Sequence, residues 1–152
     1  MAQLHELVTP GSIRLNVRAR DWREAVRVAG KLLTNAGAGT PGYTDAMIEN
    51  VRDHGPAIVI APGFAFAHAQ APALVKHTGM AWVRLKKPVN FGSDVNDPVV
   101  LIAALASAGS TEHIQAMRQL VSVVGNEFTR TRLESAVDVE EFLSVLGRVD
   151  KR

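Results

Sequence analysis

Residues 55–63, Gly55-Pro56-Ala57-Ile58-Val59-Ile60-Ala61-Pro62-Gly63, mark where the chain changes its hydrophobic period. Upstream, apolar residues recur every three to four positions. Here five consecutive apolar residues, Ala57 to Ala61, stand between Gly-Pro and Pro-Gly, which predicts a strand covered on both faces and therefore central in its sheet.

Working outward, the upstream segment reads as two helices. Asp21 with Glu24 makes a capping box, and Trp22, Ala25, Val26, Ala29, Leu32, Leu33 and Ala36 follow at helical spacing before Gly37. Thr40-Pro41 opens the second, whose apolar face is Tyr43, Ala46, Met47 and Val51 and which Gly55-Pro56 ends. Residues 1–11 form a lead-in closed by Pro10-Gly11, and Ser12 to Leu15 a brief edge strand. Downstream, Gly79 to Leu85 and Pro98 to Ala106 are strand candidates around a loop from Lys86 to Asp97. Ser110 or Thr111 caps a helix carrying Ile114, Met117, Leu120, Val121 and Val124, and Asp138 with Glu141 opens a last one before Gly147. Strands flanked by helices, with no repeat or linker, predict one α/β domain over 1–152, with its core at about 12–147.

Composition narrows the chemistry. At 152 residues the chain can bury roughly 70% of its unfolded surface, so one domain has a true core. With 47% hydrophobic and 21% charged residues it is an ordinary globule and not a disordered chain. The absence of cysteine excludes disulfides, thiolate zinc sites and a thiol nucleophile. The longest apolar run, Val99 to Ala106, is far short of the roughly 20 residues of a bilayer span, and Met1 to Thr9 has no basic lead before an apolar core, so a cytoplasmic location without membrane insertion is expected. A net charge of +2, with no aromatic residues among clustered Lys or Arg, gives no sign of nucleic-acid binding.

Five histidines remain as groups for chemistry near neutral pH. His5, His54 and His77 read as solvated, His54 at a helix end where it meets the negative pole of the helix dipole. His68 differs. It lies in Phe64-Ala65-Phe66-Ala67-His68-Ala69, and no charged residue occurs from Ile58 to Val75. Partial desolvation favours its neutral form, so it is either a nucleophile or base, or a core-rim ring satisfied by a backbone carbonyl. His113, within Gly109-Ser110-Thr111-Glu112-His113, falls in a first helical turn, where free N–H groups attract an oxyanion; the plain alternative is an exposed side chain. No H-x-H, H-E-x-x-H or G-x-S-x-G spacing occurs, so neither a metal site nor a serine hydrolase is expected.

Ala61-Pro62-Gly63-Phe64-Ala65-Phe66-Ala67-His68-Ala69, Gly79, Leu85-Lys86-Lys87-Pro88-Val89-Asn90-Phe91-Gly92, Asn96-Asp97-Pro98-Val99 and Glu112-His113-Ile114, in that order, resemble the mannitol/fructose-type enzyme IIA of the phosphoenolpyruvate-dependent sugar phosphotransferase system. Asp21-Trp22-Arg23-Glu24-Ala25-Val26 and His54-Gly55-Pro56 are similar to its ascorbate-type members. The resemblance implies a mixed sheet between helices. It implies that His68 accepts a phosphoryl group from the phosphocarrier HPr and passes it to a IIB component that serves a membrane IIC component. It further implies that His113 stabilises the phosphate, with Gly63, Ala67, Ala69, Ser110 and Thr111 lining the site and no cofactor or metal needed. Two positions depart from the usual pattern: Ala67 stands for the proline before the active histidine, and Asn50 for an arginine near the phosphate. A IIA-like module that only signals its phosphorylation state is the alternative, and neighbouring genes for IIB and IIC components discriminate the two.

Overall fold

A computed structural model describes residues 4–150, with side chains described through 147. Residues 1–3 of the lead-in and 151–152 of the expected domain lie outside the described residues. In chain order the elements are β1 (Ile13–Val17), α1 (Trp22–Asn35), α2 (Pro41–His54), β2 (Phe64–Ala67), β3 (Gly79–Val89), β4 (Val99–Ala106), α3 (Ser110–Val124), α4 (Glu127–Ser135) and α5 (Val139–Asp150). The strands form one open sheet in the order β1-β3-β4-β2. β1 is parallel to β3, β3 antiparallel to β4, and β2 parallel to β4, so the sheet is mixed as expected.

Strand alternation explains the layering. Ala65 and Ala67 of β2, Val83 and Leu85 of β3, and Ile102 and Ala104 of β4 face one way, into a core shared with α1 and α2. Phe64 and Phe66, Met80 and Trp82, and Leu101, Ala103 and Leu105 face the other way, into a core shared with α3, α4 and α5. Trp82 centres this second layer, with ring centroids 5.8 Å from Phe64 and 5.4 Å from Phe142. Small alanines on the first face let α1 and α2 approach closely; aromatic residues fill the second.

The helix starts follow the sequence at the two capping boxes. The Asp21 carboxylate accepts from the Glu24 N–H at 2.9 Å, and Asp138 from the Glu141 N–H at 2.8 Å. Pro41 takes the first position of α2, and Gly55 ends it at φ 63°, the left-handed region that glycine enters without cost.

Residues 57–61 correct the sequence reading. Gly55–Ile58 is a 3₁₀ turn, and no strand occupies 57–61. Prolines at 56 and 62 remove ladder donors at both ends, and Ile60 is 41% exposed, which a strand covered on both faces would not allow. Pairing begins after Gly63 turns the chain at φ 71°, and the resulting strand, β2, lies at the sheet edge while β3 and β4 are central. Three smaller corrections follow. β3 runs on to Val89 and carries Pro88 because pairing with β4 is irregular between Arg84 and Val89. α3 is capped by Gly109 and buries Ala116, Leu120, Val123 and Val124, leaving Ile114 and Val121 half exposed. α4 has no counterpart in the sequence reading; only Thr129 and Leu133 of it are buried, too few to make a periodic signal.

Candidate functional site

The two-residue alternation that puts Phe66 on the α3 side puts the next even residue, His68, there as well, at the carboxyl end of β2. His113 sits one turn into α3, where its backbone N–H bonds the Gly109 carbonyl at 3.1 Å. The three rings gather at one end of the sheet. Phe66 stacks on His68 with centroids 4.7 Å apart, and the His113 centroid lies 5.3 Å from His68 and 6.3 Å from Phe66.

His68 Nδ1 is 3.2 Å from the Phe66 carbonyl oxygen. A carbonyl only accepts, so Nδ1 carries the hydrogen and the lone pair resides on Nε2. The ring is thus satisfied by a backbone carbonyl at one nitrogen, as one of the two sequence alternatives has it, while Nε2 has no hydrogen-bond partner among the described residues. Burial holds the His68 pKa below the ordinary histidine value; the neighbouring His113 and His54 act in the same direction, and the bond to the Phe66 carbonyl opposes them. The neutral imidazole is therefore the resting form near pH 7.

Two residues that the sequence reading assigned only to packing or to a family position hold this segment. The Tyr43 hydroxyl accepts from the Ala69 N–H at 3.1 Å and donates to the Leu105 carbonyl at 2.6 Å, which pins the chain beside His68 to β4. Burial raises the Tyr43 pKa, so the phenol stays protonated and can donate. The Asn50 side-chain amide donates to the His68 carbonyl at 3.1 Å. Nothing local to 64–69 signals either contact, because both partners come from α2.

Two clefts meet at this end. One, of about 760 Å³, is lined by Asn50, Asp53, His54 and His68 among others; the second, of about 480 Å³, by Pro72, Gly109, Ser110, His113 and Ile114. Ala69 and Gln70 border both. Among the described residues no lysine or arginine lines either cleft, and the positive charge they offer comes from imidazoles and from the start of α3.

Of the residues expected at the site, His68, Ala69, Ser110 and His113 are brought together. Thr111 is exposed in the first turn of α3, outside the lining of the clefts. Ala67 is fully buried and faces the α1–α2 layer. Gly63 is not near the rings. It lies at the other end of β2, about 16 Å away along the chain at roughly 3.3 Å per residue, where its N–H bonds the Asn96 carbonyl and its carbonyl accepts from Val100 and Leu101. Its family block is contiguous in sequence, but an extended strand separates the block's two ends. His77 bonds the Thr78 carbonyl. His54, read as a solvated helix end, lines the cleft with His68.

A ring pair with one free, neutral nitrogen beside a helix start can accept and hold an anionic group on that nitrogen. Residues 6–149 match the family described as phosphoenolpyruvate-dependent sugar phosphotransferase system, EIIA 2. The chain is 35% identical over 150 residues to the ascorbate-specific phosphotransferase-system EIIA component of Shigella flexneri, covering 97% of each chain. It is also similar to the crystal structure of the mannitol IIA of Escherichia coli, with a TM-score of 0.81 and 27% identity, over 91% of this chain and 98% of that one. The enzyme IIA in the complex of IIA-mannitol with phosphorylated IIB-mannitol from Escherichia coli aligns with a TM-score of 0.83 and 26% identity, over 93% and 97%. Among the described residues no helix is long and apolar enough to cross a membrane.

Proposed function

The chain belongs to the EIIA 2 family of the phosphoenolpyruvate-dependent sugar phosphotransferase system, and from that premise we propose that it is a cytoplasmic phosphohistidine carrier. His68 takes a phosphoryl group from HPr and delivers it to a IIB component for uptake of ascorbate or a related sugar or polyol. The observation that carries this reading is the free Nε2 of His68, held toward His113 by the bond from Nδ1 to the Phe66 carbonyl.

The lone pair of Nε2 attacks the phosphorus of the donor's phosphohistidine. The donor's P–N bond breaks and its electron pair returns to the donor ring, while the Nδ1 hydrogen of His68 stays with the Phe66 carbonyl. In the second step a nucleophile of IIB attacks the same phosphorus and the Nε2–P bond breaks. A phosphoryl group brings roughly −1.5 to −2 charges. His113 and the free N–H at the start of α3, on Ser110, stabilise it. Half-exposed Ile114 with Pro72, both lining the cleft beside His113, offers apolar rim for docking and keeps water from the phosphoramidate. The resemblance to an IIA solved with its phosphorylated IIB supports a IIB partner; the ascorbate-specific relatives support the cargo.

Incubation with phosphoenolpyruvate, enzyme I and HPr is expected to add one acid-labile phosphate. His68→Ala abolishes it. His113→Ala keeps acceptance and slows onward transfer. Full labelling of the His68→Ala variant would falsify the assignment.

A further inference from the structure

His54 is the one histidine at this end for which the relay described above has no use. Its Nδ1 lies 3.1 Å from the Asn50 carbonyl, one turn back in α2, so Nδ1 donates and Nε2 carries the lone pair. Asn50 ties the two rings together: its carbonyl holds His54, and its side-chain amide holds the backbone of His68. His54 and His68 line the same cleft.

The charges around that cleft leave a gap. From α2 it is faced by Glu49, whose carboxylate is 2.9 Å from Arg52, and by Asp53; from the end of β2 by His68; and His113 stands beyond His68 on α3. The 3₁₀ turn of residues 55–58 adds no charged side chain. A doubly negative group on His68 would therefore meet the Asp53 carboxylate, the Glu49 carboxylate already paired with Arg52, and the negative pole of α2 on this side. Among the described residues that line this cleft, His54 is the one besides His68 itself that can offer positive charge.

We propose that His54 is a positioning and charge-balancing residue for the phosphorylated state: it takes up a proton when His68 is phosphorylated and, held by Asn50, screens the phosphoryl group from the carboxylates of α2. Positive charge on His54 opposes protonation of His68, the weakest of the influences on that ring after burial, the Phe66 bond and His113. The phosphorylated ring then has His113 on one side at the start of α3, and His54 lines the cleft at the end of α2. The inference rests on the carrier reading above.

The test uses the full chain with HPr and three forms of residue 54: wild type, His54→Asn and His54→Arg. Asparagine keeps an N–H for the Asn50 carbonyl and removes the titrating nitrogen; arginine fixes the charge. The phosphoryl equilibrium between phospho-HPr and this protein is measured at pH 6.5 and 8.5, together with the His54 ring nitrogen shifts before and after phosphorylation. Expected are protonation of His54 on phosphorylation near pH 7 and an equilibrium about tenfold less favourable in His54→Asn at pH 6.5, a change of about 1.4 kcal/mol by the usual conversion. The gap should be smaller at pH 8.5, and His54→Arg should match wild type at pH 6.5 and exceed it at pH 8.5. An equal loss at both pH values without rescue by arginine, or unchanged His54 shifts in a fully labelled protein, overturns the role of His54 and leaves the carrier reading intact. Absence of any label on wild type overturns the carrier reading itself.

Discussion

The two ends of β2 are built from similar residues and do opposite things. At the amino end, side chains of the loop of residues 90–97 tie the backbone: the Asp97 carboxylate accepts from the N–H groups of Phe91, Gly92 and Ser93 at 2.7–3.0 Å, and the Asn96 side chain donates to the Val59 carbonyl at 3.0 Å. At the carboxyl end, Tyr43 and Asn50 tie the backbone equally well, but Nε2 of His68 has no hydrogen-bond partner among the described residues. Both ends have glycine, alanine, proline and amide side chains. The difference lies in where satisfaction stops. A loop tied through a carboxylate and an amide serves structure, whereas one that leaves a ring nitrogen unpaired at a cleft is where we propose the chemistry.

Exchanging the roles of the two ends is the strongest way to break this comparison. His68→Ala should lose all acid-labile label while its unfolding free energy in urea falls by no more than about 1 kcal/mol, since the half-buried ring bonds one carbonyl and stacks on Phe66 at the edge of a cleft. Asp97→Ala should do the reverse: unfolding costs fall by about 2–3 kcal/mol and Tm by about 5–10 °C, because three N–H groups lose a charged acceptor, and the labelling yield below the transition stays unchanged. A large loss of label in Asp97→Ala at a temperature where the protein is folded would mean that the two ends are coupled and the division is wrong.

Tyr43→Phe tests the tie at the carboxyl end. Losing the hydroxyl leaves the Ala69 N–H and the Leu105 carbonyl without a side-chain partner, at a cost of about 1–2 kcal/mol, and frees the chain next to His68. Stability by denaturant and the rate of phosphoryl acceptance should both fall, the rate by severalfold. A variant that loses stability but keeps its rate would show that this hydroxyl supports the fold alone.

The smallest effect concerns pH. Burial depresses the His68 pKa, so in the interval just below about 6.5 the unfolded chain binds more protons than the folded one. Stability should therefore fall as pH drops through that interval and be indifferent to this group above it. Ring resonances of His68 should titrate below 6.5, with the acceptor nitrogen more than half deprotonated at that pH. A midpoint above 6.5 would mean that the neutral form is not favoured and that the desolvation argument fails.

Much was legible in the residues. Capping boxes at Asp21–Glu24 and Asp138–Glu141, proline at the start of α2 and the apolar run of β4 are short-range signals, each decided within a few residues, and each forms where its chemistry implied. The charge-free stretch around His68 marked the ring as desolvated. Legibility failed where neighbours in space take over. Residues 57–61 are as apolar as a buried strand, yet the pairing falls to 64–67, because prolines deny the first segment its ladder and β4 accepts the second. α4 is hidden because only two of its residues are buried.

By itself the sequence determined the helix starts, the α/β class and the two rings worth attention, because capping, period and local charge depend on residues close along the chain. Only the tertiary structure decided that β2 lies at an edge, that Gly63 belongs to the far end, and that Tyr43, Asn50 and His54 of α2 surround His68. These are contacts across 14 to 26 positions, set by how helices settle on a twisted sheet. No local pattern encodes them.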